Sequence, residues 1–231
     1  MRFPYLVLGA GRQGVAAAYD LATFGQAARV TLADSDLSRA RAAAARLNRL
    51  LRKRVATASR ADVRDSAGLA GVLAGHAAVV SAVPYRFSLE VTRAALRARV
   101  NLCDLGGNTA IVRAQLRLSA QARRAGISIV PDCGLAPGMA NVLARLAVRR
   151  LEARGARPER VRIFCGGLPL HPRPPLDYQL VFSIEGLLNE YLGAAQYLRD
   201  GRLVKVPTLT EVEAVVFPQP VFDEGARAEQ K

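Results

Sequence analysis

The feature that most limits what this chain can become is its opening. A six-residue apolar run, Phe3 to Leu8, leads directly into Gly9-Ala10-Gly11-Arg12-Gln13-Gly14, and that loop leads directly into Val15, Ala18, Leu21 and Ala22 at helical spacing, closed by Gly25. A strand, a glycine turn and a helix in that order predict a βαβ beginning. The alternation continues with strands expected over Arg29 to Ala33, Ala56 to Asp62, Ala77 to Val83, Val100 to Leu105 and Ile127 to Val130. Helices are expected between them over Leu37 to Leu51, Ser66 to Leu73, Ser88 to Arg97 and Ala110 to Ala125. Such alternation predicts an α/β fold, a doubly wound parallel sheet with helices on both faces.

After Pro131 the pattern changes, and the expected domains are 1–137 and 138–231. Pro137 and Gly138 open a helical stretch to about Ala153, and Gly155 to Pro158 break the chain before the apolar Val161 to Cys165. Leu168 to Leu176 carries four prolines and reads as a loop. Tyr178 to Ser183 predicts a strand, Gly186 to Leu198 a helix and Arg202 to Val206 a strand, while the chain from Phe217 reads as unstructured.

Composition narrows the function classes. With 231 residues, 51% of them hydrophobic, the chain can bury a sizeable core, which excludes wholesale disorder. The net charge of +14 does not make a nucleic-acid surface: nearly all 33 basic residues are Arg scattered singly, and there is no Trp and only 6% aromatic content for stacking. The longest apolar candidate, Gly68 to Val83, is broken by His76 and repeated Gly, so no membrane helix is expected. Cys103, Cys133 and Cys165 show no metal-site spacing; an odd, sparse set argues against a metal centre and for a reducing, cytoplasmic setting.

The chemistry sits in the loops that follow the strands. In Gly9 to Gly14, Gly9 permits the tight turn, Gly11 lets backbone approach a diphosphate, and Gly14 lets helix and strand pack closely; Arg12 and Gln13 occupy the helix opening, where amide donors collect. Asp34 lies twenty positions after Gly14 at the end of the second strand, where a carboxylate accepts hydrogen bonds from an adenosine ribose. This favours NAD, while Arg39 and Arg41 keep NADP open should Asp34 turn away. Asp62, after the third strand, is an adenine-side candidate or a plain loop carboxylate. Ser81, Ala82, Val83 and Pro84 close the fourth strand with small residues beside which a cofactor passes, and Tyr85, Asn108 and Cys133 begin or occupy the next loops as substrate-side candidates.

Gly9 to Gly14, Ser81 to Pro84, Asp104 to Asn108, Gly134-Leu135-Ala136-Pro137-Gly138-Met139, and Gly166 to Pro169 with Tyr178 to Ser183 together resemble the saccharopine dehydrogenase-like family, and within it the lysine 6-dehydrogenase branch. The resemblance implies a Rossmann domain, an incomplete mixed α/β substrate domain, NAD(P)-dependent oxidation of an amino-acid amine, and a homodimer or larger assembly. It runs to about Glu213 and fades near Val215, so a shortened member is expected, and a cofactor-binding remnant without turnover is the alternative reading. Amine oxidation needs a general base. The candidates are Glu185, His171, Asp177 and Lys205, with Glu185 preferred for a substrate ammonium because it follows the segment that resembles the family's substrate side.

Overall fold

The computed structural model describes residues 2–166, 169, 171–175, 177, 179 and 184–214. They belong to two compact units, Met1–Ser183 and Ile184–Lys231. In the first unit, β1 (Phe3–Leu8), β2 (Ala27–Asp34), β3 (Ala56–Arg60), β4 (Ala78–Ser81), β5 (Asn101–Asp104) and β6 (Ile129–Val130) form one sheet in the order β3-β2-β1-β4-β5-β6. Every pairing in it is parallel. Helices α1 (Arg12–Phe24), α2 (Leu37–Leu51), α3 (Ser66–Leu73), α4 (Ser88–Ala98), α5 (Thr109–Leu116) and α6 (Ser119–Ala125) connect the strands, and α7 (Met139–Glu152) follows the sheet. This is the doubly wound architecture, with its strand order reversing between β1 and β4.

β1 and β4 read as nearly unbroken apolar runs because both faces are covered. Leu6, Leu8, Val79 and Leu102 pack on one face against Leu69 and Leu73 of α3 and Val91, Ala94 and Ala95 of α4. Val7, Val30 and Leu32 pack on the other against Ala18 of α1 and Ala40, Ala43, Ala44 and Leu47 of α2. Each fully buried Leu or Val contributes about 1.5–3 kcal/mol. Small Ala residues let α2 lie close to the strands. Asp36 starts α2 by accepting from the Ser38 and Arg39 amides at 2.9 and 3.3 Å, and Asn48 ties its end to β3 through the Val55 and Ala56 amides, each at 2.9 Å.

Three expectations change. The helix expected over Ala110 to Ala125 is two helices, because Leu118 turns back to the Gln115 carbonyl and Ser119 Oγ bonds the Leu116 carbonyl. The strand expected to Val83 stops at Ser81, ahead of Pro84, which has no amide to donate. In the second unit, the helix expected to reach Leu198 is α8 (Ile184–Tyr191), and Ala194–Arg199 is instead β7, paired antiparallel with β8 (Arg202–Pro207). Asp200 and Gly201 join them with φ of 51° and 74°, the left-handed pair that a two-residue hairpin turn requires. The strand expected over Tyr178 to Ser183, Gln179 apart, and the tail from Phe217 lie outside the described residues. No described residue after Ala122 is buried.

Candidate functional site

The three glycines of the first loop do three different things. Gly9 adopts φ +93°, and a Cβ there would stand 2.7 Å from the Ala82 carbonyl oxygen, so the ends of β1 and β4 meet at hydrogen atoms. A Cβ on Gly14 would lie 1.8 Å from the Gly9 carbonyl oxygen, which seats α1 directly on the loop. Gly11 precedes α1 in extended backbone, and no atom lies within 4 Å of the place where its Cβ would be. That open face lies beside the first-turn amides of Arg12 and Gln13, which no residue within the helix can accept from. It is a cradle for an anion approaching the positive end of α1.

Asp34 closes β2 beside this cradle, 8% exposed. Its Oδ2 accepts from the Ala10 amide at 2.9 Å and its Oδ1 from the Asp36 amide at 3.0 Å. Oδ1 also accepts from the Ser35 hydroxyl at 3.5 Å, and since a carboxylate has about four lone-pair positions, Oδ2 keeps capacity for a further donor. Gly9, Gly11 and Asp34 line one cleft of about 490 Å³ together with Ala82, Val83 and Pro84, at the point where the strand order reverses. Arg39 also lines it, and Arg41 does not. On its far wall Asp62 is paired with Arg64 at 2.6 Å, which holds the Asp62 carboxyl at about 2. Of the residues expected here, Ser81 is the one set beneath the cleft: it is 1% exposed, with no partner for its Oγ.

The loops after β4, β5 and β6 adjoin one another. Tyr85 opens a single helical turn, and its ring lies against Gly107, where a Cβ would come within 2.9 Å of Cδ1. Asn108 caps α5, its Oδ1 accepting from the Ala110 and Ile111 amides at 3.0 and 3.2 Å. Cys133 is exposed, with its Sγ 3.4 Å from the Val130 carbonyl oxygen. Burial, Asp104 and Asp132 raise its thiol above the ordinary range, and burial above all pushes Cys103 up to about 11. Neither is an activated nucleophile.

A buried polar chain beneath these loops escapes sequence reasoning. Asp104, 2% exposed, accepts from the Gly106 amide at 2.8 Å, the Asp132 amide at 3.3 Å and Gln115 Nε2 at 2.6 Å. Gln115 Nε2 also donates to Thr92 Oγ1 at 2.9 Å, and Thr92 donates to the Ser88 carbonyl at 2.8 Å. The only signal in the sequence is that Asp104 and Asp132 each follow an apolar strand at its carboxyl end. Of the four base candidates, His171 and Asp177 are exposed on the segment after α7, while Glu185 on α8 and Lys205 on β8 belong to the second compact unit. Among the described residues no three His, Cys, Asp or Glu side chains gather as a metal site, and no helix is long and apolar enough to cross a membrane.

The open cradle at Gly11, the amides of α1 and the spare acceptor capacity of Asp34 fit a dinucleotide, with its diphosphate at the helix and its ribose at the carboxylate. Comparison with known proteins also points to a dinucleotide-binding domain. Residues 5–130 match the saccharopine dehydrogenase NADP binding domain and residues 134–229 the saccharopine dehydrogenase C-terminal domain. The second match runs past Val215, where the sequence reading ends the resemblance, so the family likeness extends to residue 229. Saccharopine dehydrogenase [NADP(+), L-glutamate-forming] of Pyricularia oryzae is 30% identical over 165 residues, 70% of this chain and 36% of that protein. The Saccharomyces cerevisiae protein of the same name is 29% identical over 163 residues, 70% of this chain and 35% of its own. The solved apo saccharopine dehydrogenase (L-Glu forming) of Saccharomyces cerevisiae superposes with a TM-score of 0.65 at 24% identity, over 94% of this chain and 47% of that one. The chain thus spans about a third of the length of these two curated relatives and about half of the solved structure. From the glycine loop through the cleft to residue 229, it belongs to the saccharopine dehydrogenase family.

Proposed function

We propose that residues 1–137 bind NAD and that the chain serves the oxidation of an amino-acid amine, with saccharopine and lysine as the substrates to try. The observation that carries this reading is the Asp34 carboxylate, held by the Ala10 and Asp36 amides in the same cleft that Gly9 and Gly11 line. Turning it away would forfeit two hydrogen bonds to a charged acceptor, about 1.5–3 kcal/mol each, so it stays where it can accept from a ribose diol. A 2′-phosphate would meet that negative charge; of the three arginines that line the cleft, Arg39, Arg64 and Arg86, Arg64 is already paired with Asp62. The relatives carry NADP(+) in their names; the tethered Asp34 argues for the other cofactor in this chain.

In this reading the α1 amides hold the diphosphate, Asp34 fixes the adenosine ribose, and Val83 and Pro84 wall the path toward the loops after β5 and β6. The bound nicotinamide supplies a hydride acceptor. The free cysteines support a cytoplasmic, reducing setting, and the exposed Met139, Val142, Leu143 and Leu146 of α7 support a homo-oligomer. Dinucleotide binding without turnover by this chain alone is the second reading, favoured by the absence of any buried residue among those described after Ala122.

The test is a fluorescence titration of NADH and NADPH against the chain and its Asp34→Ala variant, followed by absorbance of the reduced nicotinamide with L-saccharopine or L-lysine. NADH should bind more tightly than NADPH, and the variant should lose about tenfold or more of its NADH affinity. A variant that binds NADH as the parent does refutes the ribose assignment. Failure to bind either dinucleotide removes the whole reading, and binding without any absorbance change selects the second one.

A further inference from the structure

Among the described residues, Asp132 is the one carboxyl in the carboxyl-end loops of the sheet that is half-buried with no cationic partner. It stands two residues past the end of β6, at φ +59°, the left-handed region that Asp tolerates better than most residues. Its side chain lies across Gly106, where any Cβ would fall 1.9 Å from its Oδ1, and the Gly107 amide donates to its carboxylate. Gly107 in turn backs onto the Tyr85 ring, and Tyr85 directly follows Val83 and Pro84 on the wall of the dinucleotide cleft. The carboxyl is therefore built into the same group of loops as the cleft.

The charges around it are unbalanced. Asp104 lies beneath it, its Oδ1 accepting from the Asp132 amide at 3.3 Å. Among the described residues no lysine, arginine or histidine pairs with Asp132, although the chain carries 33 basic residues. Other carboxylates of this unit are occupied: Asp34 by two amides, Asp62 by Arg64 and Glu90 by Arg93. Burial first, and the Asp104 charge second, raise the Asp132 carboxyl above its ordinary range. A half-buried carboxyl with an acidic neighbour and no cation is short of one positive charge, and an amino-acid ammonium would supply it.

We propose that Asp132 receives the proton of the substrate ammonium before the carbon–hydrogen bond is broken. The proposal rests on the amine-oxidising reading above. The step is balanced within itself: an N–H bond breaks, an O–H bond forms on the carboxyl, and ammonium plus carboxylate become free amine plus carboxylic acid. Asp104 acts as a positioning residue, its Oδ1 holding both the Gly106 amide and the Asp132 amide.

The full chain labelled with [13C-carboxyl] aspartate, titrated by NMR with and without NADH, and then with L-saccharopine or L-lysine added, tests this directly. The Asp132 resonance is assigned by its loss in Asp132→Asn, or in Asp132→Glu should the first variant fail to fold. Its midpoint should lie above the ordinary aspartate range and move downward when an amine probe binds, because an ammonium stabilises the carboxylate. Asp132→Asn should keep NADH affinity within about twofold while turnover falls about 100-fold or more, with the acidic limb of the kcat/KM profile lost and partly restored by Asp132→Glu. An ordinary midpoint, or one that no amine moves, overturns the proposal even where NADH binds. Loss of NADH binding in the parent would instead strike the functional reading and leave the carboxyl titration to decide the role of Asp132.

Discussion

The sharpest contrast in the glycine loop is between Gly14 and Gly11, which look alike in sequence and differ in what surrounds them. A methyl at Gly14 would place its carbon 1.8 Å from the Gly9 carbonyl oxygen, whereas ordinary contact begins near 3.4 Å. The helix and loop must therefore part by more than 1 Å, a backbone shift of the kind that costs about 1–3 kcal/mol. Helix propensity pushes the other way, since Ala is favoured over Gly by about 1 kcal/mol. The net cost of Gly14→Ala is then about 0–2 kcal/mol, and at about 2–4 °C per kcal/mol the melting temperature should fall by up to roughly 8 °C. Gly11→Ala meets no atom within 4 Å and has φ −77°, so its cost is confined to a weaker helix cap, about 1 kcal/mol at most. Yet that methyl occupies the anion's approach, and NADH affinity should drop about tenfold or more. Calorimetry and an NADH fluorescence titration on the two variants separate these effects. A raised melting temperature in Gly14→Ala, the outcome that helix propensity alone would give, would refute the packing argument, and parental NADH affinity in Gly11→Ala would refute the cradle.

Two other outcomes follow from the buried groups beneath the loops. Gln115→Ala withdraws the amide that reaches Asp104 at 2.6 Å and Thr92 at 2.9 Å, so the urea midpoint should fall by the equivalent of about 1–3 kcal/mol, and an unaltered midpoint would show that the chain of hydrogen bonds carries no stability. Cys103, pushed up to about 11 by burial and then by Cys133 and Asp104, has a folded value above the unfolded one of about 8.5. Its contribution is complete below the unfolded value and is lost as pH rises through the folded one, so melting curves should decline more steeply between those limits than in Cys103→Ala. Parallel declines would remove the thiol as the cause.

What the sequence discloses and what it hides divide along physical lines. Leu6 and Leu8 face one layer of helices and Val7 the other, so the run Phe3 to Leu8 is apolar throughout and announces a strand covered on both sides. The second compact unit offers no such contrast. Leu187, Leu188, Tyr191 and Leu192 continue a helical spacing toward Leu198, and only the Asp200-Gly201 pair, a hairpin signal, marks that Ala194 to Arg199 must turn back as a strand. Asp34 is legible because its distance from the glycine loop is fixed by one helix and one strand. Its bond to the Ala10 amide, which decides whether it can swing away, joins residues 24 apart and has no local sign. Asp132 is harder still. Its meaning depends on Gly106 and Gly107 arriving from the neighbouring strand with no side chains, and on Asp104 lying beneath it, all of which are products of strand order. Periodicity records what a residue packs against along its own element. The proton-handling role proposed for Asp132 turns on what surrounds it, with no cation among the described residues, and that becomes visible only once β4, β5 and β6 stand side by side.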